Sequence, residues 1–425
     1  MPFYPILDAR ESRDAVIKSW LALNKPVILI KANTPGTDKN LWFSKVLVNY
    51  FSQLIKKTCE IDDVKHYQSL DGPYALLRLD MDGIESIKRV LIHIEESHPI
   101  GRYIDLDLYE SGRMRSISRV DLDLPMRPCM LCQGDALACI RLKRHDSHQL
   151  IRRIEEDVMS FLTSEMRHAI DVAMERELAL EDKFGLVTKS SRGSHPDMDY
   201  DLMVRAKDAI LDGFIDIFQL GLHASTREGL FDQARKIGQT METDMLKETN
   251  GINCYKGLIF ALGFVVLSTG YTIGQNGHRR DIGTHIAMFA KDIFTDFDYG
   301  LDTFGIKAFH AHGITGIRGE AKSGFLSIKK ILDAYPNLHK QDDRCIRKAL
   351  RDLILTTDDT VFLKRSGSME RYLEIKESLL NLNLDLEGEA ARFTKGMIKE
   401  RVSFGGAADL LVTALFLSQV AYLIE

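Results

Sequence analysis

Two aspartates set two residues apart, Asp105 and Asp107, stand in the segment Gly101 to Leu108 (GRYIDLDL). In a β-strand, side chains at i and i+2 project from the same face. The two carboxylates would then lie side by side, with Ile104, Leu106 and Leu108 on the other face. Carboxylates held that close repel unless a cation sits between them. Mg²⁺ held by one or two carboxylates together with substrate phosphates is the usual arrangement in phosphoryl-transfer sites. The competing reading is a solvated face on an edge strand. Just upstream, Arg102 offers a planar fork that suits a phosphate better than lysine does, and His98 reads as a structural hydrogen-bonding residue or a proton carrier.

A second candidate is Asn33 to Asn40 (NTPGTDKN), directly after an apolar run. A turn at Gly36 followed by a helix start presents backbone N–H groups that attract an anion. Asn33 and Gly36 shape that turn, Lys39 adds a point charge, and Asn40 is a hydrogen-bond donor or helix cap. An ordinary strand-to-helix turn would have the same composition.

A third group, Cys129, Cys132 and Cys139 followed by His145 and His148, has spacing compatible with a tetrahedral zinc site in which His145 is the fourth ligand. Four protein ligands leave no open position, so such a zinc would be structural. Reduced cysteines in a compact loop are the alternative. Arg113, Arg115, Arg119, Arg127, Arg141, Lys143 and Arg144 surround this region and suit a polyphosphate, an acidic partner or solvent.

The remaining candidates lie later in the chain. They are His195, Asp197 and Asp199; Asn253, Lys256 and Gly257; Arg318 and Glu320; Asp359 and Thr360 with Arg365; and Gly405, Gly406 and Asp409. Glycine lets a backbone approach a ligand closely. Several carboxylates in one helical bundle point to a Mg²⁺–nucleotide site. Each cluster taken alone also reads as a helix cap or turn.

The elements that must position these residues change character along the chain. Pro26 to Ala32, Tyr74 to Asp80 and Tyr103 to Tyr109 read as strands, and Leu41 to Lys57 and Ile84 to Ser97 as helices. That alternation predicts an α/β or α+β domain over residues 1–163. From His148 onward the pattern is helical, and residues 164–425 read as an all-α domain. No Gly/Pro/Ser-rich linker separates the two halves.

Composition excludes several function classes. The formal net charge of −5 argues against a general nucleic-acid binder. The charged N-terminal stretch does not read as a signal peptide. Leu258 to Ile273 and Ala407 to Ile424 read as buried helices rather than membrane spans, since the first is short and the second carries Asp409 and Gln419. Six cysteines in 425 residues are too sparse for a disulfide framework. A cytoplasmic protein without membrane or nucleic-acid partners is expected.

At these motifs the chain resembles two known families. From about residue 10 to 160 it is similar to the apo-citrate lyase phosphoribosyl-dephospho-CoA transferase family, through Asn33 to Asn40, Glu95 to Asp107 and Arg127 to Cys139. From about 165 to 425 it resembles the triphosphoribosyl-dephospho-CoA synthase family, through Gly185 to Val187, His195/Asp197/Asp199, Asn253/Lys256/Gly257, Arg318 to Glu320, Asp359/Thr360 and Gly405 to Leu411. The resemblance implies a fused enzyme with two consecutive reactions. The helical half would join ATP to 3'-dephospho-CoA, the 2'-hydroxyl attacking the ribose anomeric carbon as adenine leaves. The product, 2'-(5''-triphosphoribosyl)-3'-dephospho-CoA, would then pass its phosphoribosyl-dephospho-CoA part to a serine of the citrate lyase acyl carrier protein (gamma subunit), releasing pyrophosphate.

The resemblance implies Mg²⁺ on Asp105 and Asp107, with Arg102 and Lys39 on phosphates. In the helical half it implies Asp197, Asp199, Glu320, Asp359 and Asp409 as candidates for proton transfer, charge stabilisation or Mg²⁺ binding, and Lys256, Arg318 and Arg365 as phosphate ligands. Two positions depart from the synthase pattern. Thr188 stands where that family carries Asp, and Tyr255 where it carries His. The alternative is a chain with an active first half and a degenerate nucleotide-binding or docking module behind it.

Overall fold

The computed structural model describes residues 5–81, 83–113, 115–132, 134–295 and 304–425. They form two compact units, residues 1–164 with 422–425, and residues 165–421.

The first unit runs α1 (Pro5–Leu21), β1 (Val27–Ala32), α2 (Trp42–Thr58), β2 (Ile61–Tyr67), β3 (Tyr74–Leu79), α3 (Ile84–Ser97), β4 (Ile104–Tyr109), α4 (Ala136–Arg141) and the start of α5 (Ser147–Leu178). The strands form one sheet in the order β2-β3-β1-β4, with every neighbour antiparallel. The domain is therefore α+β. Its centre is β1, whose Val-Ile-Leu-Ile run is buried on both faces. Val27 and Leu29 join Ile17 and Trp20 of α1 and Tyr74 and Leu76 of β3 in one core cluster. Ile28 and Ile30 point the other way, the side on which Leu77, Ile104, Leu106 and Leu108 are fully buried. Helices α2 and α3 pack on the sheet there.

β4 alternates buried and half-buried residues along its length. Asp105 and Asp107 therefore share one face, in register with Lys31 and Leu29 of β1. Among the described residues β1 is the one strand paired with β4 in the sheet, and the outer edge of β4 is met by other groups. The Leu106 N–H donates to Glu95 Oε1 at 2.8 Å, and the Leu106 carbonyl accepts from Lys88 Nζ at 2.8 Å. Arg127 donates to the Ile104 carbonyl at 3.1 Å, and the Ile117 N–H to the Leu108 carbonyl at 2.8 Å. Lys88 and Glu95 are 4% and 6% exposed, unusual for such residues unless they are paired. Lys88→Met keeps the aliphatic stem and leaves a buried carbonyl without its donor. A loss of about 1–3 kcal/mol is expected, read from the urea midpoint.

All the regular secondary structure among the described residues of the second unit is helical. After the end of α5 come α6 (Tyr200–His223), α7 (Leu230–Glu248), α8 (Lys256–Gly274), α9 (Asp281–Phe289), α10 (Phe304–His312) and α11 (Gly316–Lys322). Then follow α12 (Leu326–Ala334), α13 (Asp343–Thr356), α14 (Thr360–Ser366), α15 (Met369–Leu380), α16 (Glu389–Glu400) and α17 (Gly405–Val420). Helix α8 packs against α6 and α17. Helices Lys256–Gly274 and Gly405–Ile424 are long and apolar enough to cross a membrane, yet 78% and 72% of their most apolar windows are buried inside the protein. A helix apolar all round is read as a core helix when it is covered this way.

Candidate active sites

In the first unit, the β-strand pleat brings Asp105 and Asp107 together. Asp105 Oδ1 accepts from Arg127 Nη1 at 2.7 Å, and Arg127 also pairs with Glu95. The second oxygen of Asp105 and both oxygens of Asp107 have no hydrogen-bonding partner among the described residues. Burial pushes the Asp105 carboxyl above its ordinary range, while the Arg127 guanidinium pulls the other way. Open carboxylate oxygens on one face are hard donors suited to Mg²⁺. Burial and the neighbouring Arg127 both lower the Arg102 guanidinium.

Next to this pair lies a cationic group the sequence reading missed. Asp71 is buried and accepts from Arg10 Nε at 3.1 Å, Lys31 Nζ at 3.1 Å, and Arg13. Burial and then the charge of Lys31 lower Lys39, which therefore sits close to the same cluster. One carboxylate does not neutralise these cations, so the group suits a phosphate chain. No motif spacing signals it, because Arg10, Lys31 and Asp71 come from α1, β1 and the loop before β3.

The Asn33–Asn40 turn is shaped largely by its own contacts. The Asn33 N–H donates to the Tyr103 carbonyl at 2.9 Å, and Lys39 Nζ turns back to the Thr34 carbonyl. Asn40 donates to the Ser69 carbonyl at 3.1 Å and accepts from Gln68 at 2.6 Å. Gly36 has φ +78°, a left-handed conformation that favours glycine. His98 is packed among Tyr50, Phe51 and Phe161 and bonds Tyr50 Oη at 3.0 Å, a structural role. Cys129, Cys132, Cys139 and His145 present ligand atoms that all lie within 4.8 Å of one another.

In the second unit, a cavity of about 550 Å³ is lined by residues including His195, Asn253, Tyr255, Lys256, Arg365, Gly405 and Asp409. A recess of about 210 Å³ shares Asn253, Lys256, Thr360 and Asp409 with it and adds Glu320, Asp359 and Gly406. Helix starts supply much of this lining. Asn253 accepts the Lys256 N–H at 3.0 Å at the start of α8. The Asp409 carboxylate, in the first turns of α17, rests on Gly257 of α8 and has no hydrogen-bonding partner among the described residues. Burial first, then the charges of Asp359 and Glu177, push Asp409 well above the ordinary carboxylate range. An uncompensated carboxyl aimed into a cavity near helix N-termini is a candidate proton acceptor or charge stabiliser.

A β-carbon built on Gly257 would lie 2.1 Å from Asp409 Oδ2. Gly257→Ala should displace that carboxylate, costing about 1–3 kcal/mol in stability. If Asp409 acts in catalysis, turnover should fall about 10²-fold as well. Thermal melts and steady-state rates on the same preparation check both.

Other acids here have different duties. Asp359 accepts the Val361 and Phe362 N–H groups of α14 at 2.8 and 2.9 Å, and the Ala407 N–H of α17 at 3.2 Å. It is thereby a double cap tying two helix starts together, and burial raises its carboxyl despite those donors. Glu320 is likewise raised by burial, with Ser327 as its partner. Asp199 caps α6 through the Leu202 N–H at 3.0 Å and pairs with Arg192; it does not line the cavity. Asp197 is exposed and also lies outside the lining.

His195 Nδ1 lies 3.0 Å from Arg365 Nη2. Burial and that cation bring His195 down to about 4, so it is neutral near pH 7 with Nε2–H available as a donor. Lys256 Nζ pairs with Glu242. Arg318 lines another, largely apolar cavity of about 260 Å³ with Phe231, Phe260 and Phe264, which shares Lys256 with the acidic recess.

The sequence reading also missed Glu177 and Lys183, which line the larger cavity as a buried ion pair at 2.7 Å. Burial lowers Lys183, against the pull of Glu177. At the two departures, Thr188 Oγ1 donates to Glu181 Oε2 at 2.8 Å, and neither residue is in the cavity lining. The Tyr255 hydroxyl is buried without a hydrogen-bonding partner among the described residues.

Comparison with known proteins follows the same division. Residues 3–161 match the family model described as apo-citrate lyase phosphoribosyl-dephospho-CoA transferase, and residues 163–424 the one described as ATP:dephospho-CoA triphosphoribosyl transferase. Protein CitXG of Leuconostoc mesenteroides subsp. cremoris is 26% identical, the alignment covering 98% of this chain and 96% of that protein. Protein CitXG of Haemophilus influenzae is also 26% identical, over 97% and 94%. A 2-(5''-triphosphoribosyl)-3'-dephosphocoenzyme-A synthase of Pectobacterium atrosepticum is 31% identical over 56% of this chain and 83% of its own length.

Proposed function

The chain belongs to the ATP:dephospho-CoA triphosphoribosyl transferase family, with an apo-citrate lyase phosphoribosyl-dephospho-CoA transferase domain joined ahead of it, and from that premise we propose how its two units divide one synthesis. The chain is a bifunctional transferase. The helical unit joins ATP to 3'-dephospho-CoA, and the α+β unit transfers the phosphoribosyl-dephospho-CoA group.

In the helical unit the reading rests on one observation, the unpartnered Asp409 carboxyl facing a cavity that also holds Lys256, His195 and Arg365. Lys256 and Arg365 bind the triphosphate of ATP, and the neutral His195 donates from Nε2. Asp409 takes the proton of the attacking 2'-hydroxyl of dephospho-CoA. The anomeric carbon gains positive charge as adenine departs and takes a proton from water, and the half-buried Glu320 carboxylate stabilises that charge. Asp359 holds the starts of α14 and α17 in place around them.

In the α+β unit the acceptor is a serine of the citrate lyase acyl carrier protein. Lys31, Lys39, Arg10 and Arg13 bind the triphosphate chain, and Arg102 steadies the phosphoryl group under attack. Mg²⁺ on Asp105 and Asp107 would neutralise charge on the departing pyrophosphate. Mg²⁺ would belong to this chemistry, and a Zn²⁺ at the Cys129–His145 cluster would belong to the scaffold. The protein works in the cytoplasm, without membrane or nucleic-acid partners; burial of its two apolar helices and its net charge of −5 support this.

The deciding experiment incubates the purified chain with ATP and 3'-dephospho-CoA and separates the bases by chromatography. Adenine should appear in step with the triphosphoribosyl product. An inert helical unit, with no adenine released, would overturn the reading.

A further inference from the structure

The described residues between Pro128 and His145 are arranged like a metal knuckle. The Cys129 N–H donates to the Gly134 carbonyl, Pro128 bridges to Asp135, and the Leu131 N–H lies 3.5 Å from Cys129 Sγ. Asp135 then caps α4 through the Leu137 and Ala138 N–H groups at 2.8 and 3.3 Å, which orients Cys139 in that helix. Cys132 Sγ lies 3.5 Å from Cys139 Sγ and 3.3 Å from His145 Nε2.

These separations are too long for a disulfide, whose sulfurs stand about 2.05 Å apart. They are close to the edges of a tetrahedron around zinc, about 3.8 Å between sulfurs for a Zn–S bond of about 2.3 Å. Three thiolates and one imidazole form a soft donor set that favours Zn²⁺ over Mg²⁺. Four protein ligands close the tetrahedron, leaving no position for a substrate.

What the loop holds is Arg127, two residues before Cys129. Its guanidinium reaches Asp105 Oδ1 at 2.7 Å, the Ile104 carbonyl at 3.1 Å, and Glu95. We propose that Cys129, Cys132, Cys139 and His145 bind one structural Zn²⁺, and that the closed loop fixes Arg127 as the positioning residue for Asp105. Arg127 occupies one oxygen of Asp105 and leaves the other without a hydrogen-bonding partner among the described residues. Three thiolates around a divalent ion leave one excess negative charge, which the neighbouring Arg141, Lys143 and Arg144 offset. The second half of the inference rests on the transferase reading of the α+β unit; the zinc site does not.

The test begins with metal content, which needs no activity. The full chain, purified without chelators, should carry one zinc by mass spectrometry. Its cobalt-substituted form should show the thiolate charge-transfer and d–d bands of a tetrahedral site. Four reactive, metal-free ligands would overturn the zinc site.

Cys132→Ser should lose the zinc and lower pyrophosphate release at least tenfold, with adenine release unchanged. If that variant does not fold, stripping the native chain with a chelator and restoring Zn²⁺ alone supplies the same comparison. Arg127→Lys should keep one zinc while lowering kcat for transfer at unchanged KM. Zinc loss with full pyrophosphate release would overturn the positioning role and leave the metal site standing. Should the native chain release no pyrophosphate, the transferase reading fails while the zinc count still decides the site.

Discussion

Asp105→Asn and Asp107→Asn should each lower pyrophosphate-releasing transfer about 10³-fold or more, while adenine release stays at the native rate. The amide is nearly isosteric with the carboxylate, so packing is kept and only the charge is lost. The two substitutions act differently. At Asp107 neither oxygen has a protein partner among the described residues, so the change removes ligand charge alone. At Asp105 one oxygen accepts from Arg127, so Asn also weakens the contact that orients the side chain. A coupled pyrophosphate assay beside chromatographic detection of adenine, on one preparation, separates the activities. A parallel fall in both would contradict two independent sites.

Asp409→Asn is expected to lower adenine release about 10²-fold or more and leave pyrophosphate-releasing transfer intact. It should also stabilise the protein at neutral pH, because the folded-state pKa of Asp409 is raised. Below about pH 4, near the pKa of an unfolded aspartate, the group is protonated in both states and its neutral form costs the fold nothing. As pH rises, the unfolded chain ionises first, and stability is lost until pH passes the folded value. Melts from acid to neutral pH should therefore show a shallower decline for the Asn variant. Adenine release by the native chain should rise with pH as Asp409 ionises. A variant with native turnover would remove Asp409 from the chemistry.

The sequence revealed elements whose burial pattern was simple. Helix α3 spans the expected Ile84–Ser97, and β1, β3 and β4 fall within a residue of their expected bounds, because apolar runs or strict alternation mark them. β2 escaped notice: Ile-Asp-Asp-Val-Lys-His-Tyr is a polar edge strand with no fully buried residue and an irregular register near Ile61. α1 escaped because only Ile17 and Trp20 are buried along its 17 residues.

The candidate sites divide in the same way. The Asp105/Asp107 pair is local, and strand geometry alone puts both side chains on one face. The pocket around Asp409 gathers residues from helices far apart in the chain, so spacing could nominate its members without sorting their duties. Asp359 and Asp199 look like Asp409 in one dimension; only the fold shows which carboxyls are committed to backbone N–H groups.

The side-chain seal along β4 has a consequence beyond the chemistry of its aspartates. An exposed strand edge is a template on which another polypeptide can add itself, the first step toward aggregation. Here Glu95, Lys88 and Arg127 occupy the outward-facing amide and carbonyls of Leu106 and Ile104 that an invading strand would need. Loosening Arg127 would therefore expose a sticky margin as well as misalign a catalytic group. Damage to the cysteine loop would then show first as turbidity in concentrated samples.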